Sequence, residues 1–170
     1  ERSTLIPATF YTNQLEVITN IAKSLPIDFQ LFVKEHPMQK ILAWRNIEFY
    51  KKIKELANVK LIHPSVSQEN MLKHCKMLIT IAGTSGLEAA LYEKPSIVFA
   101  DTIYDSLPSV YRLKSWEELP NAIRESLKVK VKLSDVNEFM NLVDSNSFEY
   151  DQPELIIKIN REFFYDGYFI

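Results

Sequence analysis

Leu78-Ile-Thr-Ile-Ala-Gly-Thr-Ser-Gly-Leu-Glu-Ala-Ala-Leu-Tyr-Glu-Lys-Pro95 is the stretch on which the reading of this chain turns. A β-branched, apolar run from Leu78 to Ile81 stops at Gly83, and a helical pattern begins within a few residues. The chain has only 3 glycines; Gly83 and Gly86 sit at this join, and Gly167 lies near the C-terminus. Glycine concentrated in this way marks a place where the backbone turns tightly or approaches a ligand closely. The spacing predicts a strand-to-helix turn of a parallel sheet, with helix N-terminal N–H groups offered to an anion.

Outward from that turn, apolar strands and amphipathic helices alternate. A short apolar run at 3–10 reads as a first strand, ended by Pro7. Leu15, Ile18, Ile21 and Ala22 then share a helical stripe, stopped at Pro26. Strands are expected at 29–33, 59–62, 77–81 and 96–99, with helices at 41–56, 67–74 (Ser67 as N-cap) and 85–93 between them. Such alternation is the pattern of βαβ units and predicts an α/β, Rossmann-like parallel sheet of five to six strands with flanking helices. Right-handed crossovers would gather the joints at 34–37, 63–67, 82–86 and 100–105 on one sheet edge, where open α/β sheets bind ligands. Beyond Ser115 the pattern is helical: 116–127, a helix capped by Ser134, and one opening at Pro153. The whole of 1–170 reads as one domain with a helical C-terminal part at 115–170. The aromatic cluster Phe163, Phe164, Tyr165, Tyr168 and Phe169 is expected to dock on a neighbouring surface.

Composition sets the outer bounds. With 46% apolar and 25% charged residues in 170, the chain has the make-up of a globular domain with a sizeable core. A net charge of −2 gives no overall attraction to nucleic acid or anionic membranes, so phosphate binding would have to come from local geometry. Cys75 is the single cysteine, cannot form an internal disulfide, and fits a reducing cytoplasmic setting. No apolar run reaches the ~20 residues of a membrane span, and no signal-peptide pattern is visible. The opening Glu1-Arg2, without Met, suggests a piece of a longer protein.

The candidate site residues follow from the joints. Ser85-Gly-Leu-Glu88 has the form of a capping box, in which Ser85 caps the helix and Glu88 reaches back to its first N–H. The alternative is functional: Thr84 and Ser85 hold a phosphate and Glu88 accepts from ribose hydroxyls, with Thr84 and Glu88 on one helix face. Lys34-Glu35-His36-Pro37 ends a strand with three ionisable residues; Pro37 keeps His36 extended, able to donate to a phosphate oxygen at the sheet edge. A solvated strand end is the plain alternative for Lys34 and Glu35. His63-Pro64 repeats the dipeptide one strand later, with His63 structural or a pocket wall. The three histidines have no zinc-like spacing, no metal site is expected, and Cys75 is expected to be inert on a buried strand face. The loop carrying Asp101, Tyr104 and Asp105 either contacts a ligand beyond its phosphate or is an ordinary turn cluster. Lys128-Val-Lys-Val-Lys132 reads as an edge strand guarded by lysines.

Taken together, Val33-Lys-Glu-His-Pro37, Asn58-Val-Lys-Leu-Ile-His-Pro64, Ile79-Thr-Ile-Ala-Gly-Thr-Ser-Gly-Leu-Glu-Ala-Ala90 and Lys94-Pro-Ser-Ile-Val-Phe99 resemble capsule polysaccharide biosynthesis proteins. These are glycosyltransferases of the GT-B fold that include Kdo transferases and sit near bacterial polysialyltransferases. The resemblance covers about residues 4–113. It implies the C-terminal, donor-binding half of an inverting, metal-independent enzyme. On that basis His36 and Pro37 face the nucleotide phosphate, with His36 stabilising it as it leaves, Thr84 and Ser85 hold it, and Glu88 lies at the ribose; Lys34, His63, Gly83 and Gly86 complete the candidate set around a CMP- or UDP-linked sugar. No other cofactor is implied. The partners implied are the nucleotide sugar and an N-terminal acceptor domain outside this chain, with no nucleic acid. The setting implied is cytoplasmic, with peripheral association at the inner membrane open. Members usually carry Gly where this chain has Glu93 and Ala100, so the helix C-cap and the loop after the fifth strand should differ. A sugar-nucleotide epimerase of the UDP-GlcNAc 2-epimerase type, or a non-catalytic interaction module, would suit the same pattern.

Overall fold

The structure is a computed structural model that describes residues 8–36 and 45–148. The chain divides into two compact units, residues 1–136 and 137–170. The first opens with a 3-10 turn at Thr9–Tyr11 and continues as α1 (Gln14–Ser24), β1 (Leu31–Lys34), α2 (Ile47–Lys54), β2 (Val59–Ile62) and α3 (Gln68–His74). Then come β3 (Leu78–Thr80), α4 (Ser85–Leu91), β4 (Ser96–Val98), β5 (Val110–Arg112), a 3-10 turn at Trp116–Glu118 leading into α5 (Leu119–Ser126), and α6 (Leu133–Ser145). The expected α/β, Rossmann-like architecture is present. Every strand pair is parallel; a helix lies between successive strands up to β4, and a loop without a helix joins β4 to β5.

The described strands form two ladders, β1-β2 and β3-β4-β5, where one sheet of five to six strands was expected. The strand expected at 3–10 falls mostly outside the described residues; within them, Thr9–Tyr11 is 3-10 turn. β5 is absent from the sequence expectation. Its core, Val110-Tyr-Arg112, is too short and mixed to show a strand period, and pairing with β4 alone defines it.

Local chemistry accounts for the elements. The Asn13 side chain accepts from the Glu16 amide at 3.3 Å to start α1, and Asn46 does the same for Glu48 at 3.0 Å at the start of α2. Ser67 caps α3 as its sequence predicts, accepting from Asn70 at 3.4 Å. Asn58 donates to the Ala22 carbonyl at 2.7 Å, tying the end of α1 to the entry of β2. Two buried clusters result. One joins Val17, Ile21, Ile97, Phe99, Leu113, Leu119 and Ile123, and the other Ala22, Ile53 and Val59; Leu31 of β1 packs against both. Each fully buried Ile or Leu here contributes about 2 kcal/mol relative to exposure. Tyr11, Phe99 and Trp116 make edge contacts at 4.9–5.6 Å, fixing the first turn over the end of β4.

Two expectations fail locally. Residues 128–132 form no strand; they connect α5 to α6, because Leu127 and Lys128 still donate to α5 carbonyls and leave too few residues to pair. Ser134 does not cap α6, which already begins at Leu133; its hydroxyl donates to Asp135 at 3.1 Å. In the second unit, the described residues continue α6 to Ser145. The helix expected from Pro153 and the aromatic tail lie outside the described residues.

Candidate functional site

The turn after β3 is built by its own side chains. The Gly83 amide donates to the Thr80 hydroxyl at 3.2 Å, and the Gly86 amide donates back to the Gly83 carbonyl at 3.2 Å. The Gly83 carbonyl also accepts from the Tyr104 hydroxyl, delivered by the loop after β4. Tyr104 is 3% exposed, and burial pushes its phenol above the ordinary range, so it remains a donor. A Cβ on Gly86 would lie 2.7 Å from the Tyr104 oxygen and 2.8 Å from its ring, and a Cβ on Gly83 would lie 2.8 Å from the Thr80 hydroxyl. Both glycines are therefore explained by close approach within the protein, without a left-handed backbone. Buried Ser96 of β4 donates to the Gly86 carbonyl at 3.2 Å, and Ala89 and Ala90 seat the same face of α4 on the sheet.

The polar groups of the turn face outward. Among the described residues, the Thr84 and Ser85 amides are bound to no internal acceptor, as the first amides of a helix require. Glu88 does not close the expected capping box: the residue before the helix is Thr84, in helical conformation and without a side-chain cap bond. Its carboxylate instead accepts from the Gln68 amide at 2.7 Å and from the Thr84 hydroxyl at a long 3.4 Å. The two share a helix face as their spacing predicts. Gln68 went unnoticed in the sequence because it reaches Glu88 across 20 residues. It brings the joint after β2 against the joint after β3.

The other candidates gather at the C-terminal ends of β1 and β2. Lys34 pairs with Ile62 in register, so His36 and His63 lie at one edge of that ladder, both exposed. The His63 Nδ1 accepts from the Ser65 amide at 3.3 Å and lies 2.6 Å from its hydroxyl, so this face of the imidazole is engaged within its own turn. Glu35 turns away from the edge to Arg45 and Tyr50, both at 2.9 Å. Pro37 lies outside the described residues. Thr84, Glu88 and Gln68 are thus joined by observed bonds, and the β1–β2 edge adjoins them through the segment from His63 to Gln68.

A cleft of about 330 Å³ opens at the ends of β4 and β5, lined by Tyr11, Phe99, Ala100, Arg112 and Lys114 among others. Arg112 pairs with the exposed Asp101 at 2.5 Å. In that loop Asp105 accepts from the Thr102 amide at 3.4 Å, so the turn-cluster reading holds for Asp105, while Tyr104 props the glycine turn. At the far end of α4, Glu93 takes a left-handed φ of 56°. The Glu93 and Lys94 amides donate to the Ala90 and Ala89 carbonyls at 3.0 and 2.9 Å, a Schellman closure usually given to glycine.

Cys75 does not lie on a strand. It is the half-buried C-cap residue of α3, with its Sγ 3.5 Å from the Leu72 carbonyl. Burial pushes the Cys75 thiol above its ordinary range, at a helix end and not on the strand face where it was expected. Among the described residues no group of three or more His, Cys, Asp and Glu side chains converges as for a metal. No described helix is long and apolar enough to cross a membrane.

The family model described as capsule polysaccharide biosynthesis protein matches residues 10–119. Two curated relatives, each named capsule polysaccharide modification protein LipB, come from Neisseria meningitidis serogroup A and serogroup B. Each is 32% identical over 94 residues, covering 54% of this chain and 22% of the relative. The match thus spans about a fifth of the length of those relatives. No solved structure gives a significant match.

Proposed function

The chain belongs to the capsule polysaccharide biosynthesis family, and from that premise we propose that it is the donor-binding half of a glycosyltransferase. One observation carries the reading. Two hydroxyls, two unspent amides and a carboxylate held by Gln68 stand together at the C-terminal end of a parallel strand. That set suits a sugar nucleotide: the Thr84 and Ser85 amides and hydroxyls take a phosphate, and Glu88 takes vicinal ribose hydroxyls.

On this reading Lys34 supplies the positive charge that the turn lacks, and His36 a further hydrogen-bond donor. As the bond from the sugar's anomeric carbon to the phosphate oxygen breaks, negative charge grows on that oxygen. His36, Lys34 and the turn amides are the groups that would meet it. The cleft beside Arg112 and Lys114 is the room this arrangement offers to the sugar. The acceptor and the base that deprotonates it belong to the part of the enzyme outside this chain.

Product analysis of the full-length protein tests the proposal. A labelled CMP- or UDP-sugar with a capsular oligosaccharide acceptor should give free nucleotide and an extended glycoside. An epimerised sugar nucleotide would instead identify an epimerase, and the glycosyltransferase reading would fall.

A further inference from the structure

Between Lys34 and His36, Glu35 is the residue whose side chain the structure engages most fully. Its carboxylate accepts from the Arg45 Nε and the Tyr50 hydroxyl, both at 2.9 Å. Tyr50 in turn accepts from the Arg45 backbone amide at 3.3 Å. The guanidinium donates with its other arm to the Gln14 amide oxygen at 2.5 Å and lies over the Phe49 ring at 4.7 Å. Side-chain exposures of 19% for Arg45 and 13% for Glu35 put the pair mostly out of water. Three elements meet there: the first turn of α1, the end of β1 and α2.

In an extended chain, neighbouring side chains point to opposite sides. Glu35 directly follows β1, so a carboxylate fixed against α1 and α2 constrains the flanking Lys34 and His36. We propose that Arg45 is a positioning residue for Lys34 and His36, acting through Glu35. The inference rests on the reading of that edge as part of the sugar-nucleotide site. A lysine at position 45 reaches Glu35 or Gln14 with one point charge, but it cannot span both as the guanidinium fork does.

The test labels the histidines of the chain and compares wild type with Arg45→Lys and Glu35→Gln. Glu35→Gln keeps size and an acceptor oxygen, which guards against a variant that fails to fold. Both variants should shift and broaden the His36 imidazole resonance while leaving His74 in place. They should also weaken CMP or UDP binding about tenfold, the scale of a lost hydrogen bond to a charged group. A purely structural pair would lower the unfolding midpoint and leave the folded-state His36 resonance untouched, and that result overturns the proposal. If neither nucleotide binds the wild-type chain, the sugar-nucleotide reading fails, and the His36 comparison alone decides the positioning role.

Discussion

The glycine turn at 83–88 and the strand end at Lys34–His36 bring polar groups to neighbouring joints by different means. The turn is shaped mainly by Thr80, Gly83, Gly86 and α4 itself, with Ser96 and Tyr104 as supports from farther along the chain. The strand end is shaped almost wholly at a distance, through contacts 10, 15 and 31 residues apart in sequence. In the turn, backbone amides remain available while the glycines are spent on packing. At the strand end, Glu35, between Lys34 and His36, is spent on packing. The comparison teaches that a motif residue can be spent on holding the shape, as Gly86 and Glu35 are.

Substitutions can break or sharpen that contrast. The largest effect is expected from Gly86→Ala. Alanine normally favours a helix, but here its methyl would enter the Tyr104 ring and hydroxyl. Denaturant unfolding should show a loss of about 2 kcal/mol, the usual scale of overpacking. A gain in stability would mean that Tyr104 does not sit where the turn needs it. Glu93→Gly should act in the opposite direction. Relieving a left-handed non-glycine residue at the end of α4 is worth about 1 kcal/mol, read as a raised unfolding midpoint.

The smallest expected change in stability is that of Gln68→Ala, about 0.5 kcal/mol for one part-buried hydrogen bond. Its effect on nucleotide affinity should be the larger of the two, because Glu88 loses the partner that aims it. Calorimetric titration with CMP and UDP beside thermal unfolding separates the two readouts. Equal affinities in variant and wild type would return Glu88 to a structural role.

The legibility of the fold follows the same division. The parallel α/β plan, the strand at 59–62 and the Ser67 cap were readable because each is written in local spacing. β5 was not, because a three-residue strand has no period of its own and exists only as a partner of β4. The turn was found by its glycines, yet the reason for them was not. Gly86 answers to a tyrosine 18 residues onward. Ser85-Gly-Leu-Glu88 suggested a capping box by its letters, but Gln68 offers Glu88 a shorter bond than its own helix does. Arg45 gave no sequence signal at all; its importance lies in joining Gln14 to Glu35.

The central claim is that the turn at 83–88 and the strand end carrying Lys34 and His36 form one sugar-nucleotide site. Its most direct test is the backbone amide spectrum of the chain during titration with CMP and UDP. The account predicts saturable shifts at Thr84, Ser85 and Glu88 together with Lys34 and His36, all with one dissociation constant. Shifts confined to one of the two segments, or none at either, would contradict it.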